Sequence, residues 1–232
     1  MRFDLKKLVH VSLMFILFCV FYYFLLYQSL VRHIRPDTLK QITTNFYCYY
    51  DFRSIAYIFG VIFLLFRNLT LYPSNVITLL HKDRYDFTKH YVVKLCVLSF
   101  IFVLIHGGVA AGLNALFLEN NVLMQQQFYI LALIYACLFF LYLNFLGLLL
   151  FFLENFFNRL HALVLCIILS YLGFLLGKIT WSPLFDVDPF IQMYFEKGLT
   201  VTEFISRVLR LIAVFLSLYL VNSIFIQRRD FL

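Results

Sequence analysis

Charged residues are scarce in this chain, since only 13% of its 232 residues are Asp, Glu, Lys or Arg. Soluble domains carry roughly 25%, so the composition argues against a soluble fold. The sequence also has no internal repeat and no low-complexity segment. Its length suits one membrane domain and leaves no room for a separate soluble catalytic domain. We therefore expect residues 1–232 to form a single transmembrane domain.

Motifs for catalysis and for ligand binding are also missing. The five cysteines are scattered, and no two form a Cys-x-x-Cys pair. Most of them lie within apolar runs, where a cysteine is usually a small buried hydrophobe. The sequence has no Gly-x-Ser-x-Gly, His-Glu-x-x-His or paired-glutamate motif, and no Gly-x-x-x-x-Gly-Lys-Ser/Thr phosphate loop. We expect no catalytic residue, cofactor or metal in this chain, and we rank an intramembrane enzyme last.

Long apolar runs are what the sequence has in place of charge. Val11–Leu30 contains no charged residue, and roughly 20 apolar residues in a helix cross the hydrocarbon core of about 30 Å. Similar runs recur and predict an all-α polytopic membrane protein with six transmembrane helices. The expected crossings are Leu8–Leu30, Ser54–Tyr72, Tyr91–Leu116, Phe128–Leu153, Leu160–Gly177 and a sixth that begins within Thr202–Arg210 and ends near Ile226.

The distribution of basic residues sets the expected orientation. The net charge is +7, and the basic residues lie in short loops, so topology explains the excess better than a nucleic-acid partner. An even number of crossings puts both termini on one side, and the segments that would be inner hold slightly more Lys and Arg. Residues 118–127 contain neither, whereas the first outer loop is basic and argues the other way. We expect a multi-pass cell-membrane protein with both termini cytoplasmic.

The few ionisable residues near the apolar runs have ordinary explanations. We expect Arg67 to snorkel to the interface and Glu154 to face Arg159 across a tight inner turn. We interpret His106 as a structural imidazole that hydrogen-bonds across a helix interface, where Gly107–Gly108 permits close approach. The alternative for His106 is a proton relay or a ligand.

Three further expectations concern the interior of the bundle. Asn114 and Asn144 are predicted to donate hydrogen bonds between helices. The 16 Tyr and 30 Phe suit lipid-facing positions, and the alternative is an aromatic conduit for an amphipathic substrate. We expect no buried charge, which argues against proton- or sodium-coupled transport.

The longest inner segment, residues 67–90, predicts a short amphipathic helix. Ser74 follows Pro73 and can cap a helix over Asn75–Lys82. Such a helix between two crossings suits the groove of a cytoplasmic partner, and the alternative is a helix resting on lipid headgroups. The expected contact residues are Ser74, Val76, Leu79, Leu80, His81, Lys82 and Arg84.

The segment between the fifth and sixth crossings is long for a simple turn. It carries the only tryptophan, and Phe190–Phe195 is apolar enough to enter the outer interface. We therefore expect an outer re-entrant element before the sixth crossing. Its marker residues are Trp181, Pro183, Pro189 and Phe190.

This arrangement resembles the permease subunit of a two-component ABC exporter, of the type found in Gram-positive peptide export and bacteriocin immunity. The resemblance rests on six crossings, the basic segment after the second crossing, the outer element before the sixth, and the tail Gln227–Leu232. It implies a coupling helix at about Ser74–Arg84, a cytoplasmic ATPase subunit that binds ATP, and a second membrane subunit in contact with lipid. One departure is the short stretch Met1–Lys7 before the first crossing, where the family often has a longer helix.

The resemblance implies export of a peptide or another amphipathic substrate across the cytoplasmic membrane. It also implies that this chain is not itself an enzyme. The alternative is a non-transport immunity or sensor protein that binds a peptide or partner in the membrane without moving it.

Overall fold

The structure is a computed structural model that describes residues 12–20, 54–71, 84–117, 128–176, 181–187 and 201–228. These ranges are mostly helical and contain no strand. We number the helices α1 to α6 in chain order, with α1 formed by residues 12–20. A π-helical turn, Ile55–Phe59, leads directly into α2, and a 3₁₀ turn, Pro183–Val187, precedes α6. The remaining bounds are Gly60–Thr70 for α2, Arg84–Phe117 for α3, Phe128–Leu153 for α4, Arg159–Leu176 for α5 and Val201–Arg228 for α6.

Four helices of the described part are long and apolar enough to cross a bilayer. Their spans are Phe87–Leu113, Ala132–Leu153, Arg159–Leu176 and Val201–Ile226. The prediction of a membrane-embedded all-α protein is confirmed at this level. The helical stretch Ile55–Thr70 is shorter, and most of the expected first crossing lies outside the described residues.

The middle of the bundle is α4. Of its most apolar stretch, 61% is buried, against 22–39% for the other three spans. It packs against α2, α3, α5, α6 and the 3₁₀ turn. A helix that is apolar on all sides suits such a position because every face meets another apolar surface.

The helices alternate in direction around α4. Tyr91 stacks on Phe151 with 4.0 Å between ring centroids, while His106, farther along α3, stacks on Tyr135 at 5.8 Å. The chain numbers of these pairs run in opposite directions, so α3 and α4 are antiparallel. The same comparison makes α5 antiparallel to α4, since the Tyr142 hydroxyl lies 3.1 Å from Ser170 Oγ and Cys166 is near the Leu146 carbonyl.

Two other helices run parallel to α4. The end of α2 meets the end of α4, where Arg67 pairs with Glu154. The last turns of α6 lie beside the same end of α4, with Phe225 and Phe152 in edge contact at 5.5 Å. The carboxyl ends of α2, α4 and α6 and the amino ends of α3 and α5 therefore share one end of the bundle.

Close packing between α3 and α4 depends on Gly147. A Cβ atom placed there would lie 2.3 Å from Leu95 Cδ1, and Leu95 is fully buried. Among the described residues, no atom lies within 4 Å of a Cβ placed at Gly107 or Gly108, so the expected close approach is not seen there. In the described part of the bundle, the buried face of α3 at this level is formed by His106, Val109 and Ala110.

Candidate functional site

Arg67 is fully buried near the end of α2, although arginine is one of the most costly side chains to bury. Its two terminal nitrogens both donate to the Glu154 carboxylate, with 2.7 Å from Nη2 to Oε2. Its Nε donates to the Tyr91 hydroxyl at 2.7 Å. A forked ion pair with a further hydroxyl acceptor supplies the charge and the hydrogen bonds that a buried guanidinium requires.

This geometry overturns three expectations. Arg67 does not snorkel to the interface, Glu154 does not pair with Arg159, and the interior of the protein does contain buried charge. The physical reason is the packing of α2 against α4, because it encloses the last turn of α2 and leaves Glu154 as the nearest acid. Sequence spacing alone favoured Arg159, which is only five positions from Glu154.

Arg159 is used elsewhere at the same end of the bundle. Its Nε donates to the Asn68 side-chain oxygen and its Nη2 to the Asn68 backbone carbonyl. The last carbonyls of a helix have no partner within the helix, so Arg159 caps α2 from the first turn of α5. We refer to Arg67, Asn68, Tyr91, Glu154 and Arg159 together as the Arg67 cluster.

Asparagine side chains attach α6 near the same end. Asn222, which is fully buried, donates to the Leu148 carbonyl of α4 at 3.2 Å. Asn144, in contrast, donates within its own helix to the Phe140 carbonyl at 2.8 Å. The expectation of a donor between helices is therefore wrong for Asn144, because its amide group meets a carbonyl of its own preceding turn first. The side chain of Asn114 lies outside the described part.

The Arg67 cluster connects both ends of the predicted coupling segment to the middle of the bundle. Arg67 and Asn68 lie just before residues 72–83, and Tyr91 lies shortly after them. Of the predicted contact residues, Arg84 begins α3, whereas Ser74, Val76, Leu79, Leu80, His81 and Lys82 lie outside the described residues. These hydrogen bonds join the residues that flank 72–83 to α4 and α5.

His106 of α3 lies in an aromatic environment formed by α1, the π turn and α4. Phe59 of the π turn meets it edge-on at 4.6 Å, and Phe18 of α1 does so at 5.8 Å. Tyr135 and Phe139 of α4 contact its ring at 5.8 and 5.1 Å. The side chain is 1% exposed, and its structural role stays a prediction.

A second polar cluster lies at the opposite end of the bundle, where the 3₁₀ turn packs against α4, α5 and α6. The Asp186 carboxylate accepts a hydrogen bond from Trp181 Nε1 at 2.9 Å and one from Arg210 Nη2 at 2.8 Å. Arg207 Nη1 donates to the Asp186 backbone carbonyl at 3.4 Å. We refer to these four residues as the Trp181 cluster.

The Asp186 carboxylate is held in a desolvated position. Burial raises the pKa of the Asp186 carboxyl above its ordinary value, and the hydrogen bond from Trp181 and the charges of Arg210 and Arg207 partly offset that rise. Its ionised form therefore depends on these donors.

The Trp181 cluster falls in the segment predicted to hold the outer element. Trp181 and Pro183 are described, and Pro183 begins the 3₁₀ turn, whereas Pro189 and Phe190 lie outside the described residues. The sequence reasoning did not find Asp186, Arg207 or Arg210 as a group. The available signal was the i, i+3 spacing of the two arginines, which puts them on one side of a helix.

Each of the two clusters is a hydrogen-bonded ion pair, and neither has the geometry of a metal site. In the described part of the chain, no three His, Cys, Asp or Glu side chains are close enough to hold a metal ion. Comparison of the whole chain with protein-family models, curated proteins and solved structures gives no significant match. Functional inference therefore rests on the two clusters and on the sequence pattern around them.

Proposed function

We propose that this protein is the permease subunit of an ATP-driven exporter that moves a peptide or another amphipathic substrate across the cell membrane. In this proposal the chain crosses the membrane six times with both termini cytoplasmic, and its outer element precedes the sixth crossing. ATP is bound and hydrolysed by a separate cytoplasmic subunit, and a second membrane subunit completes the pathway. The support is the resemblance in sequence arrangement together with the Arg67 cluster.

The observation that carries the proposal is the cross-connection around residues 72–83. A coupling segment must transmit movement of an ATPase to the crossings, and this requires rigid contacts at both of its ends. Arg67 and Asn68 bind Glu154 and Arg159, and Tyr91 binds Arg67 from the start of α3. A displaced segment would thus move α2 and α3 together with the connection between α4 and α5.

Several basic residues lie at the end of the bundle that we propose to be cytoplasmic. Arg84, Lys89 and Lys94 lie in the first turns of α3, and Arg159 begins α5. Cytoplasmic ends of membrane proteins collect Lys and Arg. Together with the slight excess of Lys and Arg in the inner segments, these residues support the orientation that puts residues 72–83 beside a cytoplasmic ATPase.

The test is isolation of the tagged full-length chain from its native membranes in mild detergent, with identification of bound chains by mass spectrometry. We expect a bound subunit with a Gly-x-x-x-x-Gly-Lys-Ser/Thr motif and ATPase activity in the isolated complex. Leu79→Asp together with Leu80→Asp should abolish that association while membrane insertion persists. The matched control is Leu116→Asp, an exposed leucine at the opposite end of α3, which should leave the complex intact.

Two results would overturn the proposal. Isolation of the stable protein without any ATP-hydrolysing subunit would favour the immunity or sensor function instead. Retention of the ATPase by the Leu79 and Leu80 double variant would show that this segment rests on lipid and does not couple.

A further inference from the structure

The Trp181 cluster differs from a simple structural ion pair because its arginine is open to the surroundings. Arg210 lies in the third turn of α6, within the candidate span Val201–Ile226. Its side chain is 46% exposed, whereas that of Asp186 is 5% exposed. An ionisable side chain at such a position in an apolar helix is a functional-site hypothesis by default.

The orientation of Arg210 is fixed on its inner side. Nη2 donates to Asp186 Oδ1 at 2.8 Å, and the guanidinium carbon lies 6.0 Å from the centroid of the Trp181 ring. Trp181 in turn donates to the other oxygen of the same carboxylate. The carboxylate thus holds the guanidinium and the indole in one arrangement, which lowers the ordering cost of binding a further group.

The outer side of the guanidinium remains able to donate. Arginine has five N–H groups in a planar fork, and the bond to Asp186 occupies one terminal nitrogen. Trp181 beside it is 49% exposed, and tryptophan favours the headgroup level of a membrane. A half-open arginine fork beside an indole matches the phosphate of a phospholipid headgroup, because guanidinium binds phosphate through paired hydrogen bonds.

The apolar residues next to Arg210 favour a lipid over a soluble anion. Leu209, Leu216 and Leu220 are all exposed, and their spacing of seven and four residues places them in one row along α6 that runs from Arg210 toward the middle of the span. An acyl chain can lie along this row while the headgroup reaches Arg210. A small soluble anion has no apolar part that could pack against this row.

Of the other charged residues described on the outer half of α6, neither Arg207 nor Glu203 is paired with Arg210. Arg207 is buried and directed to the Asp186 carbonyl. Glu203 is exposed but lies about two turns from Arg210 along α6 and only about one turn from Arg207. Among the described residues of this cluster, Arg210 is therefore the exposed basic group.

We propose that the Trp181 cluster is a specific binding site for the phosphate headgroup of an anionic phospholipid, with Arg210 as its main donor and Trp181 as its flank. This proposal does not depend on the export function. It gives the half-exposed Arg210 a ligand. The Trp181 cluster would then bind lipid, whereas the enclosed Arg67 cluster connects helices.

The chain offers a direct probe, because Trp181 is its only tryptophan. The full-length protein is reconstituted in phosphatidylcholine vesicles with increasing fractions of brominated phosphatidylglycerol or, in parallel, brominated phosphatidylcholine. Bromine on the acyl chains quenches tryptophan fluorescence, so quenching reports lipid binding at this cluster. We expect brominated phosphatidylglycerol to bind about fivefold more strongly, the order of effect of one basic residue at an anionic surface.

Variants assign the preference to Arg210. Arg210→Gln should remove it, and Arg210→Lys should keep part of it, because lysine retains the charge without the fork. Lys94→Gln, an exposed basic residue at the other end of the bundle, should leave it unchanged. Emission of each variant in unbrominated lipid checks that the cluster is folded.

Three outcomes would overturn the proposal. Equal quenching of the wild-type protein by the two brominated lipids would exclude an anionic-lipid site without reference to any variant. A full preference in Arg210→Gln would assign binding to another residue. Loss of the preference on addition of inorganic phosphate at constant ionic strength would identify a soluble anion as the ligand and remove the lipid from the assignment.

Discussion

Each end of the bundle contains an arginine paired with a carboxylate and an aromatic side chain, and the two pairs are opposite in burial. In the Arg67 cluster the arginine is buried at 1% side-chain exposure, and Glu154 is 15% exposed. In the Trp181 cluster the carboxylate of Asp186 is buried, and Arg210 is half exposed. One pair encloses the cation, and the other encloses the anion.

The difference in burial decides whether each pair can lose a charge by protonation. A guanidinium stays charged at any ordinary pH, so Arg67 needs its acceptors at all times. A carboxyl can take up a proton instead, and burial already favours the protonated form of Asp186. The Arg67 cluster therefore suits a rigid connection, whereas the Trp181 cluster suits an adjustable surface site.

Removal of the carboxylate at the enclosed end should have the largest effect. Glu154→Leu leaves the Arg67 charge buried, and loss of one partner of a buried pair costs about 3–5 kcal/mol. The free energy of unfolding in mixed micelles should fall by that amount. Arg210→Gln, the corresponding change at the open end, should cost less because Asp186 can become protonated.

A double variant distinguishes a buried charge from a general packing defect. Arg67→Met combined with Glu154→Leu removes both charges, and such replacements are often close to neutral in stability. We expect the double variant to regain most of the stability that Glu154→Leu loses. A double variant as unstable as the single one would mean that the pair itself, and not the unpaired charge, carries the stability.

Glycine-to-alanine substitutions at the two ends should differ in the same direction, with a smaller loss of stability. Gly147→Ala puts a methyl group against the buried Leu95 side chain, and overpacking of this kind costs about 1–3 kcal/mol. Gly173→Ala, near the Trp181 cluster, would meet the Ser182 hydroxyl oxygen at 3.2 Å and no other described atom within 4 Å, and this hydroxyl can rotate away. Unfolding of the two variants under identical conditions makes the comparison, and equal losses would contradict a tighter Arg67 end.

The smallest effect concerns pH at the open end. Because the pKa of Asp186 is raised above 3.8 in the folded protein, the folded state holds this proton more firmly than the unfolded state. Its contribution to stability is therefore complete below that value and is lost as the pH rises through the folded pKa. A pH titration of Trp181 emission should have its midpoint above 3.8, and Asp186→Asn should abolish the transition. A midpoint below 3.8 would contradict the burial of this carboxyl.

The local pattern of the sequence predicted most of the helices. The expected fourth crossing has the same bounds as α4, Phe128–Leu153, and the expected fifth differs from α5, Arg159–Leu176, by one residue at each end. The reason is that an unbroken apolar run must form a helix in lipid to satisfy its backbone hydrogen bonds. Residue order alone is enough for that inference.

The candidate sites were predictable only in part. Trp181 and Pro183 lie at the second polar cluster, whereas the outer re-entrant element stays a prediction. No local signal joins Asp186 to Arg210, which lies 24 positions away. Arg67 and Glu154 are 87 positions apart, so their pairing depends on how α2 packs against α4. Arg159 is nearer to Glu154 in the sequence, and for this reason it was the expected partner.

The sequence by itself determined that this is a membrane protein built of apolar helices, because the transfer of apolar side chains into lipid depends on composition and length. The tertiary structure alone decided which charges are buried, which acid pairs with which arginine, and which glycine permits close packing. Those outcomes depend on the rotation and neighbours of each helix, which the order of residues within one helix does not specify. Arg67 is the clearest case, since an apparent helix-end charge becomes a fully buried one once α2 packs against α4.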